Sequence, residues 1–324
     1  VRIAVTGSIA NDYLMSFPGK FTDQLIPDQL HRVSLSFLVD ELEIRRGGIA
    51  ANICFGMGSL GLRPILVGAV GNDFADYRSW LERHGVDTES VHVSELRHTA
   101  RFLCTTDVDH NQIASFYAGA MSEARDIELG PVADRVGGLD LVVISPNDPE
   151  AMIRHTEECR ERGFPFAADV SQQLARMEGE QIRTLIEGAR YLFTNEYEKA
   201  LVEQKTGWGD TEILDRVEIR VTTLGPKGVV ITRKGQPEIH VPAAPVRKAV
   251  EPTGVGDAFR AGFLSATAWG LSLERAAQVG NLVAVHALES PGPQEYRLER
   301  EEFLSRFTDA YGQSAADEIA SHLP

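Results

Sequence analysis

The segment Pro252-Thr253-Gly254-Val255-Gly256-Asp257-Ala258-Phe259 holds the residues best suited to chemistry. Two glycines flank Val255, and the pattern from Ala258 to Trp269 reads as a helix that begins at once after them. Backbone N–H groups at such a start point outward, and with the helix dipole they form a nest for an anion. Asp257 falls in the first turn, where the dipole and the free N–H groups favour an ionised carboxylate. Two roles fit it: a charge that stabilises the helix start, or a base that takes the proton of a hydroxyl attacking a phosphoryl group held in the nest.

Two other segments imitate ligand loops and fail on context. Gly56-Met57-Gly58-Ser59-Leu60-Gly61 has the letters of a dinucleotide fingerprint, which must follow a strand and open a helix. Here it closes a helix and precedes the strand at Ile65, so helix packing and a chain stop explain it. Asp107-Val108-Asp109-His110-Asn111 begins like a calcium loop, but Gln112 and Ala118 stand where that loop needs Gly and Glu. It is expected to be a hairpin turn. No P-loop occurs, and the nine histidines form no HxxH or HExxH pair, so no structural zinc is expected.

The elements that must carry Asp257 follow from the hydrophobic pattern. Arg2–Thr6 reads as a buried strand. Residues 11–46 differ: Val33–Phe37 and Glu41–Arg46 alternate with period two, which predicts strands of a small separate sheet. Residues 100–107 and 112–117 alternate as well and predict a hairpin of that sheet. Gly48–Leu60 and Phe74–His84 read as helices around a strand at Ile65–Val70. From Leu141 the chain alternates strand and helix through Leu224, followed by a hairpin over Val229–Val241. Three closing helices are expected, starting near Val255, Ser272 and Glu299. This rhythm predicts a largely parallel sheet with helices on both faces and a ligand at the carboxyl ends of its strands. The division is 1–10, 47–98 and 118–324 for the α/β core, and 11–46 and 99–117 for a β-sheet lid.

At this point the sequence resembles the ribokinase-like (phosphofructokinase B) kinases. Thr253-Gly254-Val255-Gly256-Asp257 is similar to that family's second signature, and Gly47-Gly48 with Asn52 to its first. Asn195-Glu196-Tyr197-Glu198 resembles its N-x-x-E motif, and Thr223-Leu224-Gly225-Pro226-Lys227-Gly228 its nucleotide-binding strand and turn. The resemblance implies a Rossmann-type three-layer core with a small β-sheet lid, and phosphoryl transfer from MgATP to a hydroxymethyl group. It implies Asp257 as catalytic base and the N–H groups of Gly254, Val255 and Gly256 as anion hole. It places ATP against Asn195, Thr223, Gly225, Lys227, Gly228 and Gly256, with Glu198 holding Mg²⁺ through water. In the family the position of Glu251 is usually Asp and helps shape a K⁺ site. Ser290-Pro291-Gly292-Pro293 is also richer in proline than its counterparts.

The acceptor follows from further residues. Asp12 stands where the family places a carboxylate for two acceptor hydroxyls, and two carboxylate oxygens suit a vicinal diol. Ser8, Ser36, Gly48 and Asn52 join it around a ribose. Phe102 and Phe116 lie on the two strands of the lid hairpin, where facing rings can sandwich a base. Gln172 and Gln173 follow a core strand, and an amide side chain matches the edge of an adenine. The runs Ala100–Phe102, Gln112–Phe116 and Ser171–Ala175 resemble the bacterial adenosine kinases built like ribokinase. Adenosine kinase is therefore the expected activity, with a ribokinase or fructokinase, or a nucleoside sensor without catalysis, as alternatives.

Composition bounds the partners. Lys and Arg number 32 against 47 Asp and Glu, a net charge of −15 over 324 residues. Nucleic-acid and anionic-membrane binding are not expected of such a chain. Three widely spaced cysteines, no CxxC and no leader-like amino-terminal segment predict a cytoplasmic protein. Leu35, Phe37, Leu42 and Ile44 suggest an apolar outer lid face, and the resemblance implies a homodimer pairing lids.

Overall fold

The computed structural model describes residues 1–324. Its larger sheet has seven parallel strands: β1 (Ile3–Thr6), β4 (Ile65–Val70), β5 (Val91–Val93), β8 (Leu141–Ile144), β9 (Phe166–Asp169), β10 (Tyr191–Asn195) and β11 (Ile219–Thr223). The antiparallel strands β12 (Val229–Thr232) and β13 (Ile239–Val241) finish one edge. The order is β13-β12-β11-β10-β9-β8-β1-β4-β5. Central strands such as Leu141-Val142-Val143-Ile144 are apolar on both faces because helices cover both faces.

One apolar core lies under the helices Ile49–Ser59, Val255–Ala268, Leu273–Leu288 and Arg300–Tyr311. The other lies under Leu129–Val136, Pro149–Arg162, Gly179–Ile186 and Glu196–Thr206. The helix at Pro149 starts as its sequence prescribes, with Pro at the first turn and the Asp148 side chain accepting from Ala151 N at 3.2 Å.

In the sheet β1 lies between β4 on one side and β8 on the other, where the strand order reverses. This switch point opens a crevice at the carboxyl edge of the sheet. Over the crevice stands a second sheet of order β3-β2-β6-β7, made of β2 (Ala10–Ser16), β3 (Glu41–Gly47), β6 (Ala100–Thr106) and β7 (Gln112–Tyr117).

Most elements stand where the pattern puts them, with these differences. Val33–Phe37 is not a strand; Phe37 folds back onto Phe17 and Phe21, with ring centroids 5.0 and 4.9 Å away. Local clustering of three rings wins there over β alternation. The strand of the second sheet is instead Ala10–Ser16, whose Asn, Asp and Ser hide its pattern. The short strand β5 and the helix Leu129–Val136 were not expected. A fourth closing helix, Gln313–Ala320, follows the three expected. The Asp107 loop is the expected hairpin turn, its carboxylate accepting from the backbone of Phe21, Asp109 and Asn111. All three cysteines are free and buried. No helix is long and apolar enough to cross a membrane.

Candidate active site

A cavity of about 1090 Å³ fills the crevice between the sheets. Its floor comes from segments that follow strands: Ser8 after β1, Asn147 after β8, Gln172 and Gln173 after β9, Asn195 at the end of β10 and Thr223 at the end of β11. Its roof is the inward face of the second sheet. Register sets that face, because Asp12 pairs with Arg45 on one side and Phe102 on the other, and Phe102 pairs with Phe116. Arg45, Asp12, Phe102 and Phe116 therefore form one rank across the sheet, and all four line the cavity.

This corrects one expectation. Directly opposite residues of an antiparallel pair hold their Cβ atoms only about 4.5–5.5 Å apart on the same face. Phe102 and Phe116 stand side by side and make one aromatic wall, not two facing rings. Burial pushes the Asp12 carboxyl up to about 6, against the pull of Arg45.

The glycine segment leaves three backbone N–H groups free at the start of a helix. Gly254 has φ +78° and precedes the helix Val255–Ala268; a Cβ there would lie 2.4 Å from the Pro293 Cβ. The proline-rich loop thus backs the nest, and only glycine fits between them. Val255 N points at the Pro252 carbonyl at 3.3 Å, whereas the N–H groups of Gly254, Gly256 and Asp257 have no acceptor in the protein. Val255 N, expected to be free, is thus partly engaged, and Asp257 N is free in its stead.

Asp257 lines the cavity beside these N–H groups. Burial pushes its carboxyl up to about 7, while Arg260 and the hydrogen bond from Asn52 pull the other way. Asn52 Nδ2 donates to Asp257 Oδ2 at 2.8 Å. Behind it, Gln294 Nε2 donates to Asn52 Oδ1 at 2.9 Å and to the Tyr77 hydroxyl at 2.6 Å, and Trp80 Nε1 donates to Gln294 Oε1 at 3.1 Å. An indole N–H can only donate, so it fixes the orientation of Gln294, then of Asn52, which must present N–H to Asp257. Arg260, one turn further along the helix, pairs with Asp169 at 2.6 Å.

Gly48, at φ +92°, opens the helix Ile49–Ser59; a Cβ there would lie 2.6 Å from the Ser8 carbonyl oxygen. Ser8 Oγ accepts from Ile49 N at 3.0 Å, which leaves its own proton to donate. Gln172 is exposed in the cavity wall. Gln173 also lines it, but its Nε2 is spent on the Asn147 carbonyl at 2.6 Å. Ser36 lies in an exposed loop outside the cavity lining, because the expected strand around it does not form. Gly225 and Gly228 line the cavity, and Lys227 between them is exposed and does not.

The Asn195-x-x-Glu198 motif is a reciprocal capping box: Asn195 Oδ1 accepts from Glu198 N at 2.7 Å, and Glu198 Oε2 accepts from Asn195 N at 2.8 Å. Glu198 Oε1 is left facing Ser171 Oγ at 3.3 Å. Glu251 Oε1 accepts from Thr253 N and Oγ1, and Oε2 lies 3.8 Å from Arg45 Nη1. A guanidinium beside that carboxylate disfavours a monovalent cation there.

Pattern reasoning missed Arg45, Arg176, Arg260, Trp80, Tyr77 and Gln294. A lone arginine inside the apolar run Ala258–Leu264 was a usable signal for Arg260. Nothing in the sequence marks Gln294, which reaches Asn52 across 242 residues.

Residues 13–300 match the model of the pfkB family of carbohydrate kinases. The nucleoside kinase of Methanocaldococcus jannaschii is 31% identical over 295 residues, covering 90% of this chain and 92% of that protein. The Burkholderia thailandensis nucleoside kinase in complex with inosine superposes with a TM-score of 0.83 at 33% identity, covering 96% of this chain and 99% of that one. Its complex with ADP-inosine gives 0.81 at 35% identity, with 96% of each chain covered.

Proposed function

We propose that this chain, which belongs to the pfkB family of carbohydrate kinases, transfers the γ-phosphate of ATP to the 5′-hydroxyl of a purine nucleoside, giving the nucleoside 5′-monophosphate and ADP. The observation that carries this reading is the rank of Asp12, Phe102 and Phe116 set over a cavity shared with Asp257 and the nest. A carboxylate for a diol beside an aromatic wall fits a ribose with a base attached, and a free sugar has no use for the wall. The volume exceeds that of an ordinary single-ligand pocket, as two substrates require.

Ser8, Gly48, Asn52 and Asp12 surround the ribose, and Gln172 meets the base edge. The N–H groups of Gly254, Gly256 and Asp257 hold the transferring phosphoryl group. The remaining phosphates run toward Asn195, Thr223, Gly225 and Gly228. Asp257 Oδ takes the 5′-hydroxyl proton as the new O–P bond forms and the bond to the ADP oxygen breaks. No three acidic, His or Cys side chains converge to cage a metal, which suits a Mg²⁺ that arrives on phosphates and keeps most of its waters. Glu198, through Oε1, and Asn195 would hold its water shell, and Mg²⁺ would supply neutralisation of phosphate charge.

Adenosine is the base reading that Gln172 supports, since an amide offers a donor and an acceptor together. A second reading, a 6-oxopurine nucleoside, is favoured by Arg176. It lines the cavity close after Gln172, and a donor-only guanidinium prefers the O6 and N7 acceptors. The relative's complex with inosine points the same way. The test is ADP release with adenosine, inosine, guanosine, cytidine, ribose and fructose as acceptors. Equal efficiency on ribose would refute the nucleoside reading, and the adenosine-to-inosine ratio decides between the two bases.

The smaller sheet acts as a lid and its outward face as a dimer surface. Leu42 and Ile44 are 55% and 56% exposed there, and Tyr13, Met15 and Ile113 share the face. Phe37 is turned away from this face into its own aromatic cluster. A second copy of this chain is the proposed cover.

A further inference from the structure

Arg260 is 7% exposed, yet its charge is only partly answered. Nη2 donates to Asp169 Oδ1 at 2.6 Å. Nε is buried without a partner. Nη1 has no acceptor in the protein, and the side chain lines the cavity. A Cβ built on Gly256 would lie 2.8 Å from Nη1, so this nitrogen rests against the nest itself. Burying a guanidinium is costly, and one carboxylate does not satisfy five donors. Unpartnered buried donors are rare and call for an explanation.

The other cations of the cavity do not serve the nest. Arg45 is taken by Glu43 at 2.7 and 2.9 Å, and Arg176 belongs to the loop after β9. Asp169, Glu198 and Asp257 all act on Arg260 electrostatically. Without it, the charged side chains around the nest would all be carboxylates, at the place where a polyanion must be received.

We propose that Arg260 is a catalytic residue whose Nη1 contacts the transferring phosphoryl group from beneath the nest and supplies the fixed positive charge that backbone N–H groups lack. This rests on the kinase reading above. Phosphoryl transfer asks for positioning and neutralisation of charge, and a cation held in place before the reaction needs no reorganisation during it. Asp169 holds the planar fork by one nitrogen and leaves the other free. A lysine ammonium is a single point of charge and cannot be gripped at one corner while presenting another.

The test compares Arg260→Lys and the charge-free double variant Arg260→Met/Asp169→Asn with Asp169→Asn alone. Thermal melting checks folding, and nucleoside binding is titrated without ATP. The double variant is expected to bind nucleoside within about threefold of wild type, while kcat falls about 10²–10³-fold. Arg260→Lys is expected to recover less than about a tenth of that loss. Asp169→Asn alone keeps Arg260 and is expected to stay within about fivefold in kcat. Losing Arg260 also raises the Asp257 carboxyl, so kcat is followed to about pH 9.5, where that carboxylate is ionised in every variant. A deficit that persists there supports phosphate contact. A deficit that vanishes there, a double variant with near-normal kcat, or an Asp169→Asn loss as deep as the double variant's would overturn the proposal. Absence of nucleoside-dependent ADP release by the wild type would instead overturn the kinase reading, and this inference with it.

Discussion

Replacing Gln294 with glutamate inverts the polarity of the chain that ends on Asp257. In the native protein Trp80 donates to Gln294 Oε1, Gln294 Nε2 donates to Asn52 Oδ1, and Asn52 Nδ2 donates to Asp257. The new carboxylate still accepts from the indole but has no N–H for Asn52. The Asn52 amide then turns its NH₂ toward that carboxylate and its oxygen toward Asp257. Two acceptors face each other, and the contact is satisfied only if Asp257 carries a proton. The lost bond is a charge-assisted one, worth about 1.5–3 kcal/mol. At 1.36 kcal/mol per pH unit this moves the Asp257 carboxyl up by about 1–2 units. Starting from about 7, it reaches about 8.5. A protonated Asp257 cannot accept the 5′-hydroxyl proton, so the acid limb of kcat/KM shifts to higher pH. At about pH 7.5 the ionised fraction falls from about three-quarters to about one-tenth, an eightfold loss in rate, roughly, that recovers near pH 9.5. The assay is coupled ADP release from about pH 6 to 10, with Gln294→Met as a control that removes the orienting group without adding an acceptor and moves the limb less. An acid limb within about 0.3 pH unit of wild type would refute the relay, as would a uniform loss at every pH.

Phe102→Ala and Phe116→Ala should each weaken nucleoside binding by about 1–3 kcal/mol and leave any residual turnover of free ribose unchanged; equal losses on both acceptors would contradict an aromatic wall for the base. Asp257→Asn should abolish turnover and raise the melting temperature at pH 8 by about 2 °C or more. The sign follows from the carboxyl being held at about 7, above its unfolded value of 3.8: its contribution to stability is full below 3.8 and lost as pH rises through 7. The gain over wild type must therefore shrink as the pH is lowered toward 4, and a gain that grows on acidification would reverse the argument. Ile44→Asp, in the outward rank of β3, should halve the mass seen by light scattering while nucleoside turnover persists; an unchanged mass would show that this face is not the dimer surface.

The parts that local rules control were legible in the sequence. Continuous apolar runs marked β8 and β9, and the glycines before Asp257 marked the start of the helix Val255–Ala268. The alternation of 100–107 and 112–117 gave the hairpin that carries Phe102 and Phe116. What was hidden depended on distant partners. Ala10–Ser16 carries Asn11, Asp12 and Ser16, so its β character comes from pairing with two neighbours along its whole length and not from its own residues. Val33–Phe37 alternates, but Phe37 gains more by joining Phe17 and Phe21 than by extending a sheet edge. Ser36 was lost with that strand. The aromatic sandwich fails for a simpler reason, since the pleat sends directly paired residues to the same side.

The acidity of the chain bears on how this site is built. A net charge of −15 would repel ATP if recognition were a matter of average field. Exposed charges farther away than about 8–10 Å are screened at ordinary ionic strength, however, and groups inside the crevice are not. The local field comes from one helix, Val255–Ala268, which presents its free N–H groups, carries Asp257 in its first turn and brings Arg260 under both one turn later. Opposing influences meet on the Asp257 carboxyl. Burial pushes Asp257 up; Arg260, the Asn52 hydrogen bond and the helix start pull it down. The balance near 7 is where a general base works best, since a lower value leaves too weak a base and a higher one leaves it protonated. Placing Gly254, Asp257 and Arg260 on successive turns of one buried helix also makes their spacing as rigid as the core beneath them. A hydroxyl and a phosphoryl group can then be brought together without any of the three having to move.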